Sequence, residues 1–118
     1  RTLPGRRPVD LDDIKLAASV IGGKWKTAIL YCLAERPTRF AALRRAVGEV
    51  SEKVLSQQLR ELVTDGIVDR HLTPSVPPQV EYALSEHGRS LCEVVEEISA
   101  WGARHRQWQA DREKPEVK

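Results

Sequence analysis

A chain of 118 residues, 31% of them charged and with a net charge of +2, has room for one compact domain and not for two substantial ones. Its two cysteines, Cys32 and Cys92, form no CxxC pair, and His71, His87 and His105 lack finger-like spacing, so neither a disulfide framework nor a metal or other cofactor is expected. No run of about 18 apolar residues offers a membrane span and the first residues lack the apolar core of a signal peptide, so no membrane partner is expected and cytoplasm is the expected compartment.

The charges are unevenly placed. Between Lys24 and Arg45 stand Lys24, Lys26, Arg36, Arg39, Arg44 and Arg45 against Glu35 alone, whereas the stretch from Glu86 to Glu97 sets Glu86, Glu93, Glu96 and Glu97 against Arg89. One basic and one acidic end suit a protein with one polyanion-facing side.

In chain order, Arg1 to Pro8 holds three arginines, two prolines and a glycine. It is expected to be a flexible basic arm, either without a role or touching phosphate or a second subunit. Asp10 is placed to cap a first helix with Leu11, Ile14, Ala18 and Ile21 at helical spacing, and Gly22-Gly23 breaks it. A second helix is predicted from Lys24 to about Ala34, with Trp25, Ile29, Cys32 and Leu33 on one side; Cys32 then acts as a small buried hydrophobe. Pro37 stops that helix. Thr38 is placed to cap a third, Arg39 to about Val47, which buries Phe40, Leu43 and Val47 and shows Arg44 and Arg45.

Gly48 ends the third helix, and Ser51 opens the stretch around which the chain is organised, SEKVLSQQLRELVTDG. Ser51 can cap its start, Glu52 suits the positive end of the helix dipole, and Gly66 can take the left-handed conformation that closes it. A turn of about 100° per residue puts Leu55, Leu59 and Leu62 on one stripe and Lys53, Gln57, Arg60 and Thr64 on the other side, with Ser56 on the flank. Two short helices joined by a tight turn are the helix-turn-helix pattern, whose second member enters the major groove.

Ile67–Leu72 and Val80–Leu84 follow as strands, and the loop between them carries Pro74, Pro77 and Pro78. This reads as a β-hairpin with a stiff tip. Helix-turn-helix plus hairpin is a winged helix: a mostly α fold with a small β-hairpin, in the α+β class. From Ser85 one last helix is predicted to about Gln109, with Leu91, Val94, Ile98, Trp101, His105 and Trp108 spaced three, four, three, four, three. That narrow seam suits pairing with a second copy, completed by Leu11 and Ile14 of the first helix; the alternative is a helix lying back on its own domain. The domain spans 9–109 and 110–118 is a polar tail.

IGGKW (Ile21–Trp25), RF-x-x-LRR (Arg39–Arg45), S-x-K-x-L-x-x-QLREL-x-x-DG-x-V-x-R (Ser51–Arg70), VPP-x-VEY-x-L (Val76–Leu84) and AWG (Ala100–Gly102) together resemble the HxlR-type winged-helix transcriptional regulators. The resemblance runs from about Val9 to His105. It implies a dimeric cytoplasmic repressor or activator acting on double-stranded DNA, with a recognition helix at Ser51–Asp65, a wing at 71–82 and dimerisation through the N- and C-terminal helices. Several members of that family sense oxidants through a cysteine just before the Pro-Val ahead of the first helix, where this chain has Arg7 before Pro8-Val9. The position after the two wing prolines, commonly basic in the family, is Gln79.

Among candidate DNA contacts, Arg60 and Gln57 have the geometry to read guanine and adenine, and Lys53 either reads a base or neutralises a phosphate. Ser56 is a secondary candidate and Ser51 either a contact or only a cap. Arg39, Arg44 and, more weakly, Lys24 suit phosphate, while Gln79 offers an amide at the wing tip; a solvated surface charge is the competing reading for each. Arg70, at the wing root, either contributes or pairs with Asp69 or Glu81. A small-molecule effector of unknown identity stays open. No Gly-rich phosphate loop and no nucleophile–base pair is present, so catalysis is not expected. The remaining alternative is a winged helix that docks protein without reading DNA.

Overall fold

The computed structural model describes residues 8–115. The arm, apart from Pro8, and the last three residues of the tail lie outside them. Asp10 opens the first helix as its side chain predicts: Oδ1 accepts from the backbone N–H groups of Asp12 at 2.8 Å and Asp13 at 3.2 Å, donors that have no partner within the helix. Helix α1 (Leu11–Ile21) stops at Gly22. Helix α2 (Lys26–Glu35) begins at Lys26 rather than Lys24, leaving Lys24 in the turn ahead of it.

The next segment departs from the sequence reading. Thr38 does not cap a helix; it forms strand β1 (Thr38–Arg39), whose extended backbone is satisfied by pairing in the sheet. Helix α3 (Phe40–Val47) therefore starts one residue later, with Arg39 as its uncapped leading residue. Gly48, at φ 104°, ends it. Ser51 caps helix α4 (Glu52–Thr64) by accepting from the Val54 N–H at 3.1 Å. At the other end Ile67 N–H reaches the Leu62 carbonyl at 2.9 Å and Gly66 N–H the Val63 carbonyl at 3.0 Å, the paired bonds of a Schellman closure around Gly66 at φ 76°.

Strands β2 (Val68–Thr73) and β3 (Gln79–Leu84) make the wing, and β3 lies between β1 and β2 in a three-stranded antiparallel sheet. The register sets Val68 opposite Leu84, Arg70 opposite Tyr82 and Leu72 opposite Val80. These pairs share one face, because directly opposed residues project to the same side.

The single helix expected after Ser85 is two. Helix α5 (Glu86–Arg89) is separated from helix α6 (Cys92–Arg112) at Ser90-Leu91. Its position follows from Ser85, whose hydroxyl donates toward the Gly66 and Ile67 carbonyls (2.7 and 3.1 Å) and accepts from the Gly88 N–H at 2.8 Å. Gly88 is buried against the Ile67 carbonyl so closely that a Cβ there would collide with it. Helix α6 also runs past Gln109 to Arg112.

The core is the stripe anticipated in α4, Leu55, Leu59 and Leu62, closed over Ile29, Leu30 and Leu33 of α2, Leu43 of α3, Val68 and Leu84 of the sheet, and Val95. Phe40, Val47 and Cys32 pack partly buried at its edge. Val95 is the one buried side chain of α6, and α1 has none. The radius of gyration, 18.0 Å, exceeds the roughly 13 Å of a compact chain of this length. Helices α1 and α6 thus extend beyond the globular body.

Candidate nucleic-acid interface

With its leucine stripe buried, α4 leaves Lys53, Gln57, Arg60 and Thr64 exposed and Ser56 half-buried. The inner face of the wing continues this surface. Lys53 and Ser56 line a depression of about 610 Å³ with Phe40, Glu52, Val80 and Tyr82. One turn on, Ser56, Arg60, Val63 and Thr64 line a second of about 350 Å³ with Arg70 and Tyr82. Three of the predicted contacts, Lys53, Ser56 and Arg60, are therefore brought onto one surface between helix and wing, while Gln57 is exposed on the same helix beside Glu61, on the side that meets α2.

Arg70 belongs to that surface, a placement the sequence reading left open against an ion pair with Asp69 or Glu81. Asp69 and Glu81 cannot be its natural partners, since alternation along β2 and β3 sends both to the opposite sheet face. Among the described residues Arg70 makes no ion pair. The signal was available: counting by twos from the apolar Val68 places Arg70 on the inward side.

The other predicted residues are placed differently. Ser51 is exposed and its oxygen is engaged as the cap, although its hydroxyl hydrogen is free to donate. Arg44 is exposed beside the turn between α3 and α4, where it lines a third depression of about 480 Å³ with Arg45, Gly48, Glu49, Val50 and Glu52. Its Nε donates to the Val50 carbonyl at 2.9 Å. Arg39 is not on the α4 surface: it is opposite Glu81, which is opposite His71, on the outer sheet face. Lys24 stands apart as well, its Nζ 4.8 Å from the centre of the Trp25 ring. Gln79 begins β3 at the wing tip, half-buried and opposite Thr73.

Lys26 corrects the count of basic surface residues. It is 6% exposed, and its Nζ meets Glu61 Oε1 of α4 at 2.6 Å. A buried ammonium requires such a partner. The hydrogen bond from Lys26, followed by its charge, holds the Glu61 carboxyl below the ordinary carboxylate range. The other carboxylate oxygen, Oε2, receives a longer hydrogen bond, 3.4 Å, from Gln57 Nε2.

Away from this surface, Leu11 and Ile14 of α1 and Val94, Ile98, Trp101 and Trp108 of α6 are all exposed. Leu91 differs from the rest of the seam: it sits at the α5–α6 break and packs partly buried against the core. His105 stacks between Trp101 and Trp108, with ring centres 4.9 and 5.5 Å apart. Burial, and then the charge of Glu35, push the Cys32 thiol above its ordinary pKa. Among the described residues no group of three or more His, Cys, Asp or Glu is placed to hold a metal ion, and no helix is long and apolar enough to cross a membrane.

The family model of the HxlR-like helix-turn-helix matches residues 20–110. An HTH-type transcriptional regulator of Halalkalibacterium halodurans is 48% identical over 88 residues, 74% of this chain and 78% of the relative. The HTH-type transcriptional regulator YtcD of Bacillus subtilis is 46% identical over 92 residues, 78% of this chain and 73% of the relative. Among solved structures, the redox regulator HypR in its reduced form superposes with a TM-score of 0.79 at 38% identity, covering 84% of this chain and 98% of that one. A crystal structure of YtcD gives 0.76 at 43% identity, covering 84% and 99%. The order of turn, second helix and hairpin agrees with this match, and the chain belongs to the HxlR-like helix-turn-helix family of transcriptional regulators.

Proposed function

We propose that the protein binds an inverted-repeat operator in double-stranded DNA as a homodimer, in the cytoplasm and without catalysing a reaction. The α4 segment Ser51–Asp65 enters the major groove and the wing, residues 71–82, approaches the flanking backbone. One observation carries the reading. The outward side of α4 presents Lys53, Ser56, Gln57 and Arg60, with Ser56 and Arg60 beside Arg70 of the wing, an array of donors and acceptors matched to base edges and phosphates.

The homodimer follows from α1 and α6. Leu11 and Ile14 on α1 and Val94, Ile98, Trp101 and Trp108 on α6 are large apolar side chains left exposed on two helices, which has no use in a solitary domain. Covering them with the same residues of a second copy gives a closed two-fold assembly. A two-fold dimer with a reading helix in each subunit requires half-sites about one helical turn apart, 10–10.5 base pairs, or a multiple of it.

The test compares affinity for the operator and for a scrambled duplex at two salt concentrations. Arg60→Ala and Gln57→Ala are each expected to weaken specific binding by about 1–3 kcal/mol per base contact and to relax preference at particular positions. If neither variant changes specific or non-specific binding, the exposed side of α4 is not a reading head, and docking of a protein partner becomes the better account.

A further inference from the structure

We propose that Lys26 and Glu61 act as positioning residues that fix which way the Gln57 amide faces, and so make that residue select adenine. The inference rests on the reading of α4 as the DNA-facing helix.

The geometry begins in the core. Lys26 lies on α2, its side chain 8% exposed, and its ammonium is bonded to Glu61 Oε1 on α4. Separating a buried cation from its counter-charge is strongly unfavourable, so Glu61 is held as an anion with one oxygen turned inward. The second oxygen, Oε2, faces Gln57 one helical turn back, where Gln57 Nε2 is the donor. The amide has two ends that a free side chain exchanges by rotation. A carboxylate accepts and cannot donate, so only the NH2 end of Gln57 can face it. The amide oxygen is thereby directed away from Glu61, with the second N–H beside it.

An acceptor and a donor presented side by side complement adenine, which offers an N6 donor and an N7 acceptor in the major groove. Guanine offers two acceptors, O6 and N7, and its O6 would oppose the amide oxygen. A residue with no DNA contact of its own, Lys26, thus determines a base preference through an ion pair and one hydrogen bond.

The chemistry gives the test a distinctive outcome. In Glu61→Gln, Lys26 still requires an oxygen, so the new amide turns its NH2 toward Gln57. Gln57 must then offer its oxygen inward and its NH2 to the groove, which complements guanine. Operator duplexes carrying each of the four bases at the position whose preference Gln57→Ala erases are titrated with the unmodified protein, Glu61→Gln and Lys26→Met. The unmodified protein is expected to favour adenine over guanine by roughly 5- to 150-fold, the range of a bidentate contact. Glu61→Gln is expected to shift preference from adenine toward guanine, and Lys26→Met to lower the ratio by releasing Glu61. A merely structural role would weaken all four duplexes alike.

An adenine preference that survives Glu61→Gln in full overturns the positioning while leaving the reading head intact. If the unmodified protein has no preference that Gln57→Ala erases, the positioning fails, and the reading head fails with it only when Arg60→Ala also leaves binding unchanged.

Discussion

The Nε of Arg44, near the end of α3, donates to the carbonyl of Val50 at 2.9 Å and so bridges the turn between the two helices of the helix-turn-helix. Val50 is buried, 4% exposed. The same guanidinium retains its terminal N–H groups for phosphate. Arg44→Ala is therefore expected to weaken binding to all DNA sequences alike, to flatten the salt dependence, and to lower stability by about 0.5–1.5 kcal/mol through the lost hydrogen bond. Arg44→Lys keeps the charge, so it should retain most of the salt slope while losing the stability increment. Chemical unfolding and salt-dependent titration of both variants separate the two roles.

The proposed two-fold surface is tested by charge. Ile98→Asp or Trp101→Asp places an unpaired carboxylate in an apolar contact and is expected to yield monomers. Because neither side chain belongs to the core, the domain itself should stay folded. Sedimentation of the unmodified protein as a monomer at micromolar concentration would remove the homodimer.

Lys26 and Glu61 also predict an acid limb. Glu61 is held below its usual value of 4.5 in the fold, so its stabilising contribution is present above that value and is lost as pH falls through the lower folded value. The stability difference between the unmodified protein and Lys26→Met should accordingly shrink with acidification. Urea unfolding midpoints measured across the acid range read this directly; a constant difference would contradict the pairing.

Gly88 has a steric role that a substitution exposes. The Ile67 carbonyl occupies the space a side chain would need, so Gly88→Ala must displace α5 from the start of β2. A loss of about 1–3 kcal/mol is expected, as for overpacking in general. Gly102, with nothing near its Cβ direction, serves as the control at which alanine should be tolerated.

Neither cysteine has the setting of a reactive thiol. Cys32 is pushed toward its neutral form by burial and by Glu35, and Cys92 packs half-buried against the core. Diamide or a quinone should leave operator affinity nearly unchanged. A thiol-reversible loss that disappears in Cys92→Ser would overturn this.

Local chemistry made much of the fold legible in the sequence. Asp10, Ser51 and Ser85 cap where their side chains can reach orphan N–H groups, and Gly48 and Gly66 sit where positive φ is needed. What escaped was non-local or too short. Strand β1 has two residues, too few for any periodicity, and exists because β3 supplies its partner. The break at Ser90-Leu91 keeps helical dihedrals, and the three-four spacing of apolar residues begins only at Leu91, so the spacing does not mark it. The burial of Lys26 depends on a carboxylate 35 positions away in sequence. Among the candidate contacts, helical periodicity brought Lys53, Ser56, Gln57 and Arg60 to the outward side of α4, whereas Arg39 and Arg70 were separated by sheet register, which one-dimensional spacing does not contain.

Helix α1 contributes no buried side chain and α6 only Val95. Residues that make the domain fold and residues of the proposed two-fold surface are consequently almost disjoint. Mutational drift in Leu11, Ile14, Ile98 or Trp108 encounters little resistance from the core, while drift in Leu55 or Leu59 encounters all of it. After a gene duplication, two such chains can diverge into mutually exclusive pairs without renegotiating their fold. The division of labour between body and extended helices is thus a route by which one genome can keep several regulators of this architecture from exchanging subunits.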